Sequence, residues 1–316
     1  MKAIVLAIAF MAVGTAHAQN YPSKPVRIVV PYAAGGAVDV VGRLISPKMA
    51  EAFGQPVLID NRPGAGGNIG ADLVAKSAPD GYSVLLAPIG QATSPALYRK
   101  LSYDPMDLTG VTQLIATEFV LVSYPKLPAV SVKEMVALSK TKPGGLNYGS
   151  TGVGAAPHLA VELMASMSGA ALTHVPYKGD APLNAALMAG EVDVAIVPIS
   201  TALPFITGGK IRALGSTGAK RARTLPDVPA VAESVPGYEF TSWQSLFVPS
   251  KTSREAVQRL YRESVRAVNL PDVREKLQGM GSEIVGSTPD EFEARYKSDI
   301  ARFARVVKEA KIPLQD

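Results

Sequence analysis

The chain has 316 residues and no cysteine. Disulfide bonds, cysteine-ligated metal sites and thiol nucleophiles are therefore excluded, as is lipid attachment to a cysteine. Histidine is almost as scarce, with three residues in all. Outside the first 18 residues only His158 and His174 remain, which is too few for a three-histidine zinc site, and no H-E-x-x-H pattern occurs. The sequence therefore predicts no metal ligands.

Motifs of the common cofactor-binding and catalytic sites are missing as well. Gly64–Gly70 is not a dinucleotide-binding G-x-G-x-x-G, because Ile69 occupies the position of the third glycine. No G-x-S-x-G turn occurs, and two S-x-x-K matches lack the S-D-N and K-T-G sequences that accompany a catalytic serine of that type. Ser150 and His158 are the best candidates for a nucleophile and its base, but they are poorly placed to serve each other. We therefore expect no cofactor, no catalytic residue and no enzymatic activity.

A long hydrophobic run is found only at the start of the chain. Residues 1–18 contain one lysine, an apolar run of about 11 residues and Ala16-His17-Ala18 at the end. A membrane-spanning helix needs roughly 20 apolar residues, whereas this arrangement is typical of a secretory signal with an A-x-A cleavage site. We therefore expect cleavage after Ala18 and export of the mature chain to the periplasm.

Charge of one sign is not concentrated anywhere in the chain. The 32 basic and 27 acidic residues give a net charge of +5. The basic residues are scattered apart from Lys220–Arg223, which we interpret as a solvated loop, so no nucleic-acid partner is expected. A mild positive charge weakly favours small anions. The hydrophobic content of 47% is that of a globular protein, and the length allows two domains.

The remaining pattern is an alternation of short strands and helices. Apolar, β-branched segments such as Val26–Val30 and Tyr82–Ala87 alternate with helical patterns, which predicts parallel sheets covered by helices, an α/β fold. The stretch Gly110–Pro125 is compatible with one long strand or with two strands that pass between domains. Thr288 and Glu291 form a capping-box pattern that predicts a C-terminal helix. Its predicted apolar face comprises Phe292, Tyr296, Ile300, Phe303 and Val307.

Two glycine-rich turns share one design. "VVPYAAGGAVDVVGR" and "LNYGSTGVGAAPHLAVEL" each run from an apolar strand through a turn of small residues into a helix. The free N–H groups at a helix N-terminus attract anions, and glycine allows a ligand to approach the backbone. Ligands of open parallel sheets lie at the carboxyl ends of the strands, so each turn could hold one end of a small carboxylate. The alternative is an ordinary tight connection between strand and helix.

The segments that carry these turns closely resemble the Bug family, the periplasmic solute-binding receptors of tripartite tricarboxylate transporters. The resemblance covers nearly the whole mature chain, in order, and is therefore more specific than any single motif. The segments that carry it are "YPSKPVRIVVPYAAGGAVDVVGR", "VLIDNRPGAGGNIGADLVAKSAPDGYSVLLA", "LNYGSTGVGAAPHLAVELM", "HVPYKGDAPLNAALMAGEVDVAIVP" and "GGKIRALGSTGAKRARTLPDVPAVAE".

The resemblance implies a type II periplasmic binding protein, in which two α/β domains joined by a hinge close on a ligand in the cleft between them. Domain 1 is then expected to comprise residues 19–120 and 244–316, and domain 2 residues 121–243. The implied function is capture of a small organic carboxylate, amino and aromatic acids included, and its delivery to the membrane subunits of the transporter. The alternative is a sensing receptor that signals to a membrane protein. In either case we expect a monomer.

The resemblance also implies a set of ligand-binding residues. One wall of the cleft is expected to comprise Tyr32, Ala34, Gly35, Gly36, Ala37 and Asp39, and the loop after the third strand adds Ile89, Gly90 and Gln91. The facing wall is expected to comprise Ser150, Thr151, Gly152 and His158. The positions that match the family near the cleft or hinge are Tyr177, Lys178, Gly179 and Asp193, and Asp180 is also expected to contact the ligand. The alternative for Asp39 and Asp193 is a structural role, in capping a helix or pairing with a basic group.

The sequence departs from the family pattern at three positions. Asp180 stands where the family usually has a small or hydroxyl residue; it could meet an amino group of the ligand, pair with Lys178 or face solvent. Ser94 and Gln244 replace residues that are usually asparagine and aromatic, so we expect both to influence which ligand is bound. Neither turn contains arginine, and Arg43 is expected to face away. We therefore predict recognition through backbone N–H groups, hydroxyls and water.

Overall fold

The computed structural model describes residues 21–177 and 180–316, except for the side chains of residues 180 and 181, so the predicted signal segment, Lys178 and Gly179 lie outside it. The strands are β1 (Val26–Val30), β2 (Val57–Asn61), β3 (Ser83–Pro88), β4 (Leu108–Ser123), β5 (Leu146–Ser150), β6 (Leu172–Pro176), β7 (Val194–Pro198), β8 (Arg212–Ser216), β9 (Thr241–Pro249) and β10 (Ser282–Ile284). The helices are α1 (Ala37–Phe53), α2 (Asn68–Ala75), α3 (Gly90–Leu97), α4 (Val132–Thr141), α5 (Ala156–Ser168), α6 (Asp180–Ala189), α7 (Ile199–Thr207), α8 (Arg254–Asn269), α9 (Pro271–Gly279) and α10 (Pro289–Glu309). Within the described ranges, none of these helices combines the length and the apolarity that crossing a bilayer requires.

The first strand group consists of β2, β1, β3, β9 and the first part of β4, in that order. β1 runs parallel to β2 and β3, whereas β9 runs antiparallel to β3 and β4. The apolar residues of β1 are all fully buried, as expected for a parallel strand that is covered on both faces. On one face, Ile45 and Met49 of α1 and Leu260 of α8 belong to the buried cluster that covers the sheet.

The second strand group consists of the last part of β4 followed by β7, β5 and β6, and β8 also pairs with β4. β5 runs parallel to both β6 and β7, as the alternation of strands and helices predicts. α6 packs so closely on β5 that a side chain added at Gly149 would overlap Leu183. The predicted α/β class is confirmed, with parallel strands covered by helices in each group.

β4 connects the two strand groups as one continuous strand of 16 residues. Its residues Leu108 to Glu118 pair with β9, and Phe119 to Ser123 pair with β7. β9 returns the chain to the first group, since Thr241 pairs with Glu118. Of the two readings of Gly110–Pro125, the single strand is the one that forms. The expected domain boundaries, at residues 120/121 and 243/244, lie next to this crossing and stay a prediction.

The C-terminal helix α10 fastens the return strand to the first group. The capping box is present, since Thr288 Oγ1 accepts the N–H of Glu291 and Glu291 Oε2 accepts the N–H of Thr288. The predicted apolar face is buried except for Ile300, which is partly buried against the same core. Trp243 of β9 packs edge-on against Phe292, with ring centroids 5.3 Å apart. Buried aromatic contact of this kind holds β9 where the chain crosses back.

Candidate functional site

The first glycine turn, residues 33–37, connects the carboxyl end of β1 to α1 and is exposed throughout. Gly35 has a φ of +83°, in the left-handed region that glycine adopts without strain. The N-cap of α1 is Gly36, which has no side chain to bind the first N–H groups of the helix. The structure thus leaves the predicted residues Ala34, Gly35, Gly36 and Ala37 accessible, at a helix start that attracts anions.

Asp39 does not line this turn but holds it from within. Its side chain is 1% exposed. Oδ2 accepts the N–H of Gly35 at 2.8 Å and Nε of Arg43 at 2.7 Å, and Oδ1 accepts Nδ2 of Asn61 at 2.9 Å. Hydrogen bonding from Arg43 lowers the pKa of Asp39 to about 2. This geometry favours the structural alternative for Asp39, and Arg43, which is committed to Asp39, neutralises its charge.

Tyr32 lies between two loops at the same edge of the sheet. Its hydroxyl donates to the carbonyl of Gly66 at 3.1 Å. A Cβ added to Gly67 or to Gly90 would lie 3.0 Å or 3.2 Å from the same hydroxyl oxygen. The Gly64–Gly67 loop therefore adjoins the first glycine turn, which sequence reasoning missed after rejecting a dinucleotide site. The signal was the run of glycines directly after β2.

The loop after β3 contributes less than predicted. Ile89 and Gln91 are 4% and 5% exposed, so their side chains belong to the interior. Gln91 Nε2 donates to the hydroxyl of Tyr103 at 2.8 Å. Gly90 alone of the three predicted residues is partly accessible, at the start of α3. The expectation that all three line the cleft is wrong for these two side chains, because packing of α3 turns them inward.

The two positions expected to influence ligand choice are both buried. Ser94 and Gln244 are 4% and 8% exposed. Gln244 pairs with Pro88 at the carboxyl end of β3, next to Gly90. Its Oε1 has no hydrogen-bond partner among the described residues. Gln244 therefore offers a buried polar group beside the candidate site.

The second glycine turn, residues 151–155, connects the carboxyl end of β5 to α5. Gly152 and Gly154 have φ values of +141° and +76°. Thr151 and Gly152 are half-buried, and the N-cap of α5 is Ala155, which cannot cap the helix through its side chain. Ser150 is fully buried, and its Oγ accepts the N–H of Gly152 at 3.2 Å. Its side chain therefore supports the turn and does not line the cleft.

His158 also lies beneath the second turn. It is 3% exposed, and its Nδ1 accepts the N–H of Gly154 at 2.9 Å. Burial lowers the pKa of His158 to about 3. This geometry favours a structural role for His158, whose ring is bonded to the turn itself, and ligand contact stays a prediction. Ser150 contacts His174, at 2.6 Å from Oγ to Nε2, and not His158. A fully buried serine has no access to a substrate, so neither pairing makes a nucleophile.

The three remaining candidates lie in different places. The backbone N–H of Tyr177 donates to the carbonyl of Ser150 at 2.9 Å, so Tyr177 directly follows the carboxyl edge of β6. Asp180 begins α6, but its side chain lies outside the described residues. Asp193 precedes β7 at the opposite, amino edge, where it accepts Nζ of Lys142 at 2.9 Å. Its pairing with Lys142 favours the structural alternative, and ligand contact by Asp193 stays a prediction.

The second turn packs against the far end of α3 and the end of the chain. A Cβ added to Gly154 would lie 2.9 Å from Leu97 Cδ1. Gln315 Nε2 donates to the carbonyl of Val153 at 3.4 Å, and the N–H of Gln315 donates to the carbonyl of Leu97 at 2.7 Å. The two walls therefore lie at opposite ends of α3, whose eight residues span about 12 Å. Sequence patterns did not predict this use of the C-terminal residues.

The helices that start at the two turns have no side-chain caps, a property they share with α2, α7 and α9, whose N-caps are Gly67, Pro198 and Leu270. The N-caps of α1, α3 and α5 are Gly36, Ile89 and Ala155, and none makes a side-chain hydrogen bond to its helix. In α4, α8 and α10 the N-cap is a serine or threonine whose hydroxyl accepts a backbone N–H. Hydroxyl caps satisfy the first N–H groups of a helix. At the two glycine turns those groups are left for another acceptor.

Neither a metal cluster nor the surface cavity beside α3 coincides with this edge. Within residues 21–177 and 180–316, no group of three histidine, aspartate or glutamate side chains is placed to hold a metal ion. A cavity of about 570 Å³ lies beside α3, lined by residues such as Tyr98, Ser102 and Tyr103, and it includes neither glycine turn. The candidate site is therefore an open edge built from backbone.

A comparison with protein families finds one match that covers most of the chain. The matching family is described as the tripartite tricarboxylate transporter family receptor, over residues 41–312. Three solved structures are similar over nearly their whole length. The periplasmic binding protein BugD is 31% identical, covers 93% of this chain and 100% of its own, and has a TM-score of 0.72. Rpa4515 of R. palustris with adipate is 35% identical, with coverages of 94% and 100% and a TM-score of 0.75. MatC of Rhodopseudomonas palustris with bound malate is 31% identical, with coverages of 91% and 100% and a TM-score of 0.72.

Proposed function

The chain belongs to the tripartite tricarboxylate transporter receptor family and has the α/β fold of periplasmic binding proteins, and we propose that it binds a small organic carboxylate between its two glycine turns. One observation carries this proposal: two accessible glycine turns with positive φ, at Gly35 and Gly152, each lead into a helix without a side-chain cap. Their N–H groups offer hydrogen bonds and a favourable dipole to an anion. Charge-assisted hydrogen bonds of this kind are stronger than bonds between neutral groups.

Helix α3 connects the two turns. Tyr32, before the first turn, contacts Gly90 at the start of α3, and Gly154 of the second turn contacts Leu97 at its end. We propose that water completes the contacts of a small organic acid between them, since water-mediated hydrogen bonds are nearly as favourable as direct ones. The proposed contacts are the backbone groups of Ala34, Gly35, Gly36, Ala37, Gly90, Thr151 and Gly152, with Tyr32, Tyr177 and Gln244 beside them.

The electrostatics of the first wall do not oppose an anion. Asp39 is the nearest carboxylate within the turn, and its charge is neutralised by Arg43 at 2.7 Å. Without this pairing, a charged carboxylate beneath the turn would repel an anionic ligand. Recognition then falls to backbone N–H groups, hydroxyls and water. Asp180 is the residue proposed to select for a ligand with an amino group.

The ligand class is proposed from the two liganded relatives. One was solved with adipate and the other with malate, which are both dicarboxylates. We infer a dicarboxylate for this chain too, with one carboxylate on each glycine turn. Amino acids and aromatic acids are the competing classes, because both also present a carboxylate to a helix N-terminus.

The cellular role follows from the family and from the predicted signal. Residues 1–18 are proposed to direct export, so that the mature chain acts in the periplasm. There the two domains, 19–120 with 244–316 and 121–243, are proposed to close on the ligand about the crossing point of β4 and β9. The closed receptor would then deliver the ligand to the membrane subunits of a tripartite tricarboxylate transporter.

Binding is tested by thermal unfolding of residues 19–316, refolded from denaturant to remove any ligand carried over. The panel contains adipate, malate, aspartate and benzoate, with glucose as a neutral control. A ligand at about 100 times its Kd adds roughly 2.7 kcal/mol of stability, which raises the Tm of a chain of this length by about 4 °C. A rise with adipate or malate alone supports the dicarboxylate proposal. A rise with aspartate that disappears in Asp180→Ser assigns Asp180 to the amino group, and no rise with any acid contradicts the proposed function.

Delivery needs its own test, because binding does not identify the partner. Uptake of the radiolabelled acid is measured in cells that carry the transporter membrane subunits, with and without this receptor. Uptake that requires the receptor supports delivery. Uptake that is independent of it, together with a transcriptional response to the acid that does require it, would favour the sensing alternative.

A further inference from the structure

A stack of three rings lies directly beneath the second glycine turn. The rings of His158 and His174 are parallel within 8°, with centroids 3.9 Å apart. The Tyr148 ring lies beside both, with its centroid 4.9 Å from that of His174 and 6.2 Å from that of His158. The three residues come from α5, β6 and β5, so the stack joins the three elements that surround the turn. His158 is buried there, at 3% exposed.

Both histidines hold the backbone of the turn. His158 Nδ1 accepts the N–H of Gly154 at 2.9 Å. His174 Nε2 lies 2.6 Å from Ser150 Oγ, which in turn accepts the N–H of Gly152 at 3.2 Å. The two glycines of the turn are thus tied, directly or through Ser150, to the two rings. Both glycines have positive φ, and their N–H directions decide where the start of α5 presents its own N–H groups.

The charge state of His158 is set by this contact. Nδ1 of His158 carries no proton, because it accepts the N–H of Gly154. If both histidines were protonated, two positive rings would lie 3.9 Å apart and repel each other. The titratable neighbours are Tyr148, His174 and Glu162, whose Oε1 lies 3.8 Å from His158 Nε2 and is bonded by the Tyr148 hydroxyl. β7 contributes no titratable residue, and Glu309 of α10 is bonded to Ser166, two turns of α5 away. Burial lowers the pKa of both histidines.

We propose that His158 is a positioning residue, whose neutral ring holds the second glycine turn in its ligand-binding form and releases it on protonation. The proposal rests on the proposed function of that turn. Its physical basis is the acceptor at Nδ1, because protonation there turns the acceptor into a donor that faces the Gly154 N–H. Any state in which the turn opens and the ring is hydrated is therefore favoured by acid.

The expected acid response follows from linkage. An opened turn exposes His158 with an ordinary pKa near 6.5, whereas the closed turn holds it at about 3. The fraction of molecules with an opened turn is constant above the pKa of the opened state and grows as the pH falls below that pKa. Between about pH 7.5 and about pH 5 the opening equilibrium should increase by about thirtyfold for this one ring.

Two substitutions distinguish the effect of the hydrogen-bond acceptor from that of the titrating ring. In His158→Asn the amide oxygen can occupy the place of Nδ1, so the acceptor is kept without a titrating group, whereas His158→Leu keeps the volume and removes the acceptor. The first readout is hydrogen exchange of peptides that span residues 150–156, corrected for intrinsic rates. At about pH 7.5 we expect exchange about tenfold faster in His158→Leu and within about threefold of wild type in His158→Asn, the effect of one hydrogen bond. On acidification, the increase in wild type should exceed that in His158→Asn by about thirtyfold.

The second readout is the Kd for adipate or malate, whichever raises the Tm of the wild type. We expect His158→Leu to raise the Kd by about tenfold and His158→Asn to keep it within about threefold of wild type. Both variants should remain folded, with a Tm close to that of the wild type. If His158→Leu does not fold, His158→Gln replaces it, because its amide lies one bond further from the backbone. The proposal would be overturned if residues 150–156 exchanged equally fast in wild type and His158→Leu. It would also be overturned if His158→Leu and His158→Asn weakened ligand binding equally. If no acid binds the wild type, the proposed function fails, while exchange still decides whether His158 holds the turn.

Discussion

Replacing Gly35 by alanine is expected to weaken ligand binding without a steric clash. Gly35 has a φ of +83°, and an added Cβ would meet no atom within 4 Å. The substitution is therefore strained only through the backbone, by about 1–2 kcal/mol for an L-residue in the left-handed region. Relaxation to a negative φ would remove the 2.8 Å hydrogen bond from the Gly35 N–H to Asp39. Either response changes the first glycine turn and leaves the core intact.

The strain sets the size of the effect on binding. If the free turn relaxes and the ligand must restore the original backbone, the full strain energy is lost from the binding free energy. An amount of 1–2 kcal/mol corresponds to a rise in Kd of about fivefold to thirtyfold. The stability of the unliganded protein should fall by no more than about 1–2 kcal/mol, because no packed atom is displaced.

Gly144 offers a matched control. Its φ is +79°, and an added Cβ would again meet no atom within 4 Å. It precedes β5 and therefore lies at the amino edge, away from both turns. Gly144→Ala should destabilise the protein about as much as Gly35→Ala and leave Kd unchanged. Isothermal titration calorimetry with the acid found by thermal shift measures Kd, and urea unfolding measures stability. Unchanged binding in Gly35→Ala, or equal weakening in Gly144→Ala, would refute the assignment of the first turn.

Three further predictions concern stability and are measured by equilibrium urea unfolding. Asp39 has a pKa of about 2 against an ordinary 3.8, so the wild type should lose about 2 kcal/mol relative to Asp39→Asn as pH falls from about 4 to about 2; a pH-independent difference would contradict this. Trp243→Phe deprives buried Asp299 of a donor at 2.9 Å and should cost about 1–3 kcal/mol. Thr288→Ala removes the N-cap of α10 and should cost about 1 kcal/mol, whereas Thr288→Ser should stay within a few tenths. If Trp243→Phe or Thr288→Ala lowered the free energy of unfolding by less than about 0.3 kcal/mol, the hydrogen bond that it removes would not contribute as proposed.

The role of Asp39 illustrates how a carboxylate can be accommodated in a turn that is proposed to bind an anion. Its three hydrogen bonds come from Gly35, Arg43 and Asn61, and Arg43 also reaches Asn61 Oδ1 at 3.3 Å. The turn therefore acquires rigidity from a charge that Arg43 cancels. The same arrangement explains the absence of an arginine on the ligand side, since the guanidinium of Arg43 is committed to Asp39.

Local patterns were sufficient for the elements of the fold. β-branched runs predicted β1 and β3, the capping box at Thr288 predicted the start of α10, and its spacing of three and four predicted the buried face. The two glycine turns were equally visible, because a strand, small residues and a helix follow one another within a few positions. Such signals depend on neighbours in sequence, and steric and hydrogen-bonding preferences act at that range.

Contacts between distant residues were decided by the tertiary structure alone. Whether Ser150 contacts His158 or His174 depends on how β6 lies beside β5, and Asp193 was placed at the amino edge by the direction of β7. Tyr32 meets Gly66 and Gly90 only because β1 lies between β2 and β3. Sequence therefore determined that this chain has two glycine turns, each between a strand and a helix. Packing of remote elements determined which side chains face the cleft and which, like His158, support it from below, because side-chain direction is chosen by burial and hydrogen bonding across the fold.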